Sequence, residues 1–224
     1  MDDDAKRWDE IHKRLANEDY GHSIYAEKVE PQFPRNAVVV DLGGGTGADV
    51  VFFLRKGHNV FLLDVSEYAL DEAKRRAKEA VVDKKLTVQK IDFGHDKLPL
   101  QSGSCDVIYS RVALNYFPKE RTTGLFYEIY EALKKGGKAY VTLKSPRDTE
   151  EMRFLESTSV IFEPYVFIQN GQLRSRFPES VLREMLTDAG IPRFDVRAYD
   201  EDLTHKGVEH KGTLHLTEIT FTKN

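Results

Sequence analysis

Two rhythms of apolar residues alternate along the chain. One is a set of short runs: Ala37-Val38-Val39-Val40, Val60-Phe61-Leu62-Leu63, Leu86 to Ile91, Cys105-Asp106-Val107-Ile108-Tyr109 and Lys138 to Leu143. The first two runs do not alternate with polar residues and predict buried strands, the first of them parallel; the other three read as further strands. The other rhythm recurs every three or four residues. Val51, Phe52 and Leu54 predict a helix stopped by Gly57. Ala69, Leu70, Ala73, Ala77, Ala80 and Val81 predict another, with Ser66 as its N-cap. Leu125, Phe126, Ile129 and Leu133 predict a third, with Pro118 in its first turn and Gly136-Gly137 stopping it. Strands alternating with helices imply an α/β fold with a doubly wound, Rossmann-like, mostly parallel sheet.

The flanks follow other patterns. Ala5, Trp8, Ile11, His12 and Leu15 predict an amphipathic helix over 4–16, with Trp8 anchoring it in the core. A short helix is expected from Ser23 to before Pro31, after a polar turn carrying Tyr20. Beyond Leu143 a short helix (Glu150 to Leu155) and a hairpin at Asn170-Gly171 are expected, then a helix from Pro178 to Asp188. Phe194, Val196 and Ala198, then Leu214, Leu216, Ile219 and Phe221, predict an antiparallel C-terminal hairpin at the sheet edge. Its second strand shifts phase at Thr217-Glu218, which predicts a bulge.

Charge narrows the functional classes. A net charge of -4 gives no reason to expect nucleic acid or an anionic membrane as partner. Lys74, Arg75, Arg76 and Lys78 read as a solvated helix face. The one cysteine, Cys105, reads as a core residue and suits a reducing compartment. The N-terminus lacks the apolar core of a signal peptide, and no run approaches the ~20 residues that span a bilayer. A soluble, cytoplasmic protein is expected. His205, His210 and His215 are spaced by five, which fits no zinc pattern, so no metal is expected.

The chemistry centres on Asp41-Leu42-Gly43-Gly44-Gly45-Thr46-Gly47. A strand, a glycine turn and a helix N-terminus make a ligand site at the end of a sheet. Alone, the turn also satisfies a loose dinucleotide fingerprint, with Asp64 about twenty residues on, where a ribose-binding acid belongs.

Five segments in order decide more than one. Val40 to Gly47, Leu63-Asp64-Val65-Ser66, Ile91-Asp92-Phe93, Cys105 to Ser110 and Leu133 to Val141 resemble the class I S-adenosylmethionine-dependent methyltransferases. The resemblance covers roughly residues 36–145 and implies S-adenosylmethionine as cofactor. It implies that Gly43, Gly44, Gly45, Thr46 and Gly47 let the backbone approach the methionine part, with Asp41 orienting that end. Asp64 would accept from the ribose hydroxyls, and Val65 or Ser66 would border the adenine. Asp92 and Phe93 would meet the adenine edge. Ser110 and Arg111 would lie near the methyl group. The family often has Cys or Ser where this chain has Gly44. An Asn/Asp-Pro-Pro-Tyr motif, which marks many nucleic-acid amino methyltransferases, is absent, and this points to a small-molecule acceptor.

The later chain is similar to the tellurite-resistance type of small class I methyltransferase. The similar segments are Ser110 to Phe117, Phe167 to Arg174, and Tyr199 to Leu203 with His205. That type methylates chalcogen oxyanions and other soft nucleophiles, which implies a soft or anionic acceptor. A sulfonium methyl group is already activated, so alignment and exclusion of water matter most. An acceptor needing a base would find His22 or His205, and Arg111 is a third candidate for the chemistry. Tyr20, Tyr25, Asn115 and Arg174 are candidate acceptor-binding residues. The expected organisation is one methyltransferase domain: a helical cap (1–35), a cofactor core (36–145), a substrate-cap insertion (146–177) and a C-terminal helix and hairpin (178–224). Two other readings stand beside it. One is an NAD-dependent oxidoreductase. The other is a methyltransferase-like domain that binds the cofactor and acts through a protein partner.

Overall fold

A computed structural model describes residues 2–15, 21–203 and 212–224. In chain order the elements are α1 (Asp2–Arg14), α2 (Ile24–Val29), β1 (Val38–Leu42), α3 (Ala48–Arg55), β2 (Asn59–Asp64), α4 (Glu67–Glu79), β3 (Leu86–Lys90), β4 (Cys105–Arg111), α5 (Lys119–Ala132) and β5 (Leu133–Lys144). There follow α6 (Thr149–Thr158), β6 (Val160–Glu163), β7 (Val166–Gln169), β8 (Gln172–Ser175), α7 (Glu179–Asp188), β9 (Phe194–Asp202) and β10 (Thr213–Thr222).

The main sheet has the order β3-β2-β1-β4-β5-β10-β9. The first five strands are parallel, and β10 pairs antiparallel with both β5 and β9. The run of β1 lacks alternation because both faces are covered, whereas the edge strand β3 alternates and is largely exposed. Val39 points into one core with Val50, Phe53 and Leu62. Its neighbour Val40 points into the other, with Leu63, Ile108 and Phe126. The chain leaves β1 toward β2 and returns on the other side at β4. The helices that follow, α3 after β1 and α5 after β4, therefore pack on opposite faces, and a crevice opens between them at the carboxyl ends of the strands.

Three local expectations are corrected. Helix α5 ends at Ala132, before the glycine pair, because buried Leu133 turns extended and pairs with Cys105. Pro118 is the residue before that helix, not its first turn. No bulge occurs in β10: its pairing with β9 and β5 runs without a shift through Thr217 and Glu218. The phase breaks because both faces are covered there, and the buried Glu218 carboxylate accepts from Lys28 at 3.1 Å and Arg197 at 2.5 Å.

The Asn170-Gly171 hairpin forms between β7 and β8. Gln169 pairs with Gln172, and both turn residues have positive φ (50° and 73°), the requirement of the tight turn. Strand β6 adds to it and makes a separate three-stranded sheet. Helix α1 lies against α4, where Asp9 accepts from the Ser66 hydroxyl at 2.5 Å and the Tyr68 amide at 3.2 Å. Among the described residues no helix is long and apolar enough to cross a membrane.

Candidate active site

The glycine turn brings three strand ends together. Gly43 has φ 73°, and its amide donates to Leu63 at 2.7 Å. A Cβ there would lie 2.3 Å from that of Ala113, so the turns after β1 and β4 touch because one of them is glycine. At Gly44 a Cβ would lie 2.5 Å from a carboxylate oxygen of Asp41. Asp41 is buried, and neither of its oxygens has a hydrogen-bond partner among the described residues. Burial, with Asp49 and Asp64 nearby, pushes its pKa well above the ordinary carboxylate value.

Asp64 ends β2 and reaches under the turn. It accepts from the Gly45 and Ser66 amides, each at 2.9 Å. Burial raises its pKa; these donors and His12 pull the other way. His12, on α1, lies over Gly45, with its Cε1 2.9 Å from where a Cβ would be. Burial lowers the His12 pKa against the pull of Asp64 and Asp9.

Asp49, in the first turn of α3, accepts from the Ser23 amide at 2.6 Å, the Ser23 hydroxyl at 2.8 Å and the Tyr109 hydroxyl at 2.7 Å. Burial first, then Asp49 and Asp41, raise the Tyr109 pKa. Arg111, at the end of β4, pairs with the fully buried Glu201 carboxylate of β9. Val112 follows it with φ 59°, an uncommon conformation for a β-branched residue. It is pinned through its carbonyl by the Asn115 amide at 2.8 Å.

These groups border two adjoining cavities of about 490 and 610 Å³, which share His12, Leu15, Gly43 and Arg111 and so form one crevice. Asp4, Asp41, Asp49, Asp64, Asp92 and Glu201 bring six carboxyls to its described walls, against the single guanidinium of Arg111. Such a crevice favours a cation.

Most of the sequence-predicted residues meet here. Asp41, Gly43, Gly44, Gly45, Thr46, Asp64, Val65, Asp92, Phe93, Arg111 and His22 all line it. His22 also stacks on Phe52 and bonds Glu27 at 2.6 Å. Gly47 packs behind the turn, toward Ala73. Ser66 caps α4, accepting from Ala69 at 3.0 Å. Ser110 is fully buried and donates to the Leu42 carbonyl at 3.0 Å.

Several expectations are corrected. Tyr25 does not line the crevice and so is not placed to bind an acceptor; it is fully buried, its ring packed against Tyr109 of β4 and Tyr199 of β9. Asn115 is also buried. It accepts from the Lys144 amide at 2.8 Å and, through its carbonyl, from the Ser175 amide at 2.7 Å, so it ties β4, β5 and β8 together. Arg174 lies over the Tyr116 ring rather than in the wall. Trp8 is not a core anchor; it is half-buried in the crevice wall. His215 bonds Asp200 at 3.0 Å. Tyr20, His205 and His210 lie outside the described residues.

The sequence reading missed His12, Asp49, Tyr109, Tyr116 and Gln172 as site residues. The first turn after a glycine loop could have drawn attention to Asp49. Nothing local marks Gln172, whose place depends on how the small sheet docks.

Residues 39–137 match the family model described as "Methyltransferase domain". Among curated proteins, the chloroplastic 2-methyl-6-phytyl-1,4-hydroquinone methyltransferase of Spinacia oleracea is 33% identical over 107 residues, 47% of this chain and 29% of that protein. The matched stretch spans 21% and 29% of the curated relatives' own lengths. A solved S-adenosylmethionine-dependent methyltransferase of Methanosarcina mazei superposes with TM-score 0.71 at 16% identity, covering 88% of this chain and 96% of that one. The 1,6-didemethyltoxoflavin-N1-methyltransferase of Burkholderia thailandensis, solved with 1,6-didemethyltoxoflavin and S-adenosylhomocysteine, superposes with TM-score 0.69 at 17% identity, covering 99% and 86%. The fold is the Rossmann-like methyltransferase fold. A dinucleotide-binding sheet would continue past β5 with a parallel strand; here antiparallel β10 takes that place.

Proposed function

We propose that this chain, whose residues 39–137 match a methyltransferase domain, is a class I, S-adenosylmethionine-dependent methyltransferase that transfers a methyl group to a small-molecule acceptor. The observation that carries this reading is the acidic crevice at the β1/β4 switch point, with the unpartnered Asp41 carboxyl beneath the glycine turn. Its charge suits a sulfonium nucleoside. When bound, S-adenosylmethionine supplies an activated methyl group whose leaving sulfur departs as a neutral thioether.

The chain's own residues do the rest. Asp64 would accept from the ribose hydroxyls, and its bonds to the Gly45 and Ser66 amides fix its orientation in advance. Val65, Asp92 and Phe93 line the same cavity as Asp64 and would border the adenine. Asp41 and Asp49 would face the ammonium end, with Tyr109 and Ser23 holding Asp49 in place. Helix α1 lends Asp4, Trp8 and His12 to the crevice wall and would limit the access of water. Arg111, the only cation in the described walls, is engaged by Glu201. That favours a neutral acceptor over an anionic one. In-line displacement needs alignment more than a base, and His12 is held toward its neutral form.

Calorimetric titration with S-adenosylhomocysteine, and with NAD in parallel, tests the cofactor. Micromolar S-adenosylhomocysteine binding with no NAD response is expected. NAD binding, or no binding of either, overturns the reading. Methylated product from a mixed-acceptor screen is then expected; cofactor binding with no product from any acceptor would favour action through a protein partner.

The missing Cβ at Gly44 is a second test. A Gly44→Ser protein is expected to lose about 1–3 kcal/mol of stability and to bind S-adenosylhomocysteine more weakly, because the new side chain meets Asp41 and Leu62. An unchanged urea midpoint would show that the Asp41 carboxyl moves aside freely.

A further inference from the structure

Trp8, Tyr116 and Gln172 come from three separate parts of the chain: α1, the turn after β4, and β8. All three line the same cavity as Asp64 and Asp92. None of them is used by the cofactor assignment above. The Trp8 and Tyr116 rings meet edge to face, with centroids 5.0 Å apart and planes at 79°. Arg174 lies over the Tyr116 ring at 5.1 Å and steadies it. Arg7 bridges α1 to the hairpin, bonding Asp4 at 2.7 Å and the Asn170 carbonyl at 3.3 Å. The corner is therefore built, with its aromatic rings held from two sides.

Gln172 is 4% exposed, and its amide nitrogen has no hydrogen-bond partner among the described residues. A buried donor without a partner calls for a ligand atom to accept from it. The terminal amide turns about a soft torsion, so it can present its N–H to the cavity. Flat rings pack well against an edge-to-face aromatic pair. Charge decides the rest: Asp4 is already paired, and Asp64 and Asp92 in the same cavity repel an anion.

We propose that Trp8, Tyr116 and Gln172 form the acceptor subsite, and that it takes a neutral, planar ring carrying a nitrogen or oxygen that accepts a hydrogen bond from Gln172. This rests on the methyltransferase reading, since it takes the remainder of the cavity as the cofactor's.

Trp8 is the sole tryptophan of the chain, so its fluorescence reports ligand at this corner directly. Quinoline and naphthalene are the probes. They share shape and neutrality at pH 7.5, and only quinoline carries an accepting nitrogen. Each is titrated with and without saturating S-adenosylhomocysteine. Quinoline is expected to quench Trp8 at about tenfold lower concentration than naphthalene, the size of one hydrogen bond. Gln172→Leu is expected to erase that preference while S-adenosylhomocysteine affinity by calorimetry stays within twofold. Gln172→Glu, which cannot donate when ionised, is expected to erase it too and covers the case in which the leucine variant fails to fold. Equal binding of the two probes to the wild type, or a preference that survives in a folded variant, overturns the subsite. A parallel loss of S-adenosylhomocysteine affinity also overturns it, by assigning Gln172 to the nucleoside. If S-adenosylhomocysteine does not bind the wild type, the cofactor reading fails by itself, and the titrations without it still score the quinoline preference.

Discussion

An Asp64→Asn protein is expected to stay folded and to bind S-adenosylhomocysteine at least a hundredfold more weakly than the wild type. The carboxylate already accepts two backbone amides, one on each oxygen. Asparagine keeps the shape and offers one accepting oxygen, so one of those amides faces an N–H instead. That costs about 1–3 kcal/mol of stability. The loss toward cofactor is larger. A carboxylate takes two ribose hydroxyls at once, each charge-assisted bond being worth about 1.5–3 kcal/mol. Losing the pair amounts to roughly a hundredfold to ten-thousandfold in affinity. Calorimetry measures it, and a loss under fivefold would remove Asp64 from the ribose. The pH profile gives an independent reading. Burial raises the Asp64 pKa, so its proton returns at a higher pH than on an ordinary carboxylate. Wild-type affinity is expected to fall with acid from that higher pH, and the asparagine variant is expected to lack this limb.

Asp64 was legible in the sequence because everything that defines it is local: a buried run, an acid at its end, and a glycine turn at fixed spacing. The same holds for the strands, where Val39 and Val40 fill cores on opposite faces of one sheet. The covering side of the crevice was less legible. Helix α1 carries one apolar stripe, and such a stripe looks the same whether it faces a core or a ligand. Trp8 therefore read as an anchor and His12 as one more member of the stripe. Tyr25 and Asn115 read as site residues because they sit in suggestive segments, yet each is buried by packing that joins distant elements. Glu218 broke the alternation of β10 because its partners, Lys28 and Arg197, are far away in the chain. In each case a long-range contact decides the position, and no periodicity encodes it.

A Glu151→Ala protein is expected to lose about 3–5 kcal/mol of stability, the cost of leaving a buried cation unpaired. Arg176 is 2% exposed and follows β8. Its Nε and Nη2 donate to the two oxygens of Glu151, each at 2.9 Å, and its Nη1 donates to the Ser175 carbonyl at 2.7 Å. Lys144, at the end of β5, joins the same carboxylate at 2.5 Å. The fork thus clamps α6 and β8 to the main sheet. Urea denaturation at pH 7 measures the loss. The paired replacement Glu151→Leu with Arg176→Met is expected to regain most of it, since an apolar pair of similar volume avoids the cost of desolvating two charges. Burial alone would raise the Glu151 pKa, but Arg176 and Lys144 outweigh it and hold the folded-state value below the ordinary one. The clamp's stabilisation is therefore full above the unfolded glutamate pKa and is lost as pH falls through the lower folded value. Acid titration of the wild type is expected to show that loss, and Glu151→Gln is expected to lack it. The clamp also sets the place of β8, and with it Gln172. A Glu151→Gln protein that still folds is therefore expected to lose the quinoline preference before it loses S-adenosylhomocysteine affinity, because the cofactor side is held by β1, β2 and β4, which the clamp does not touch.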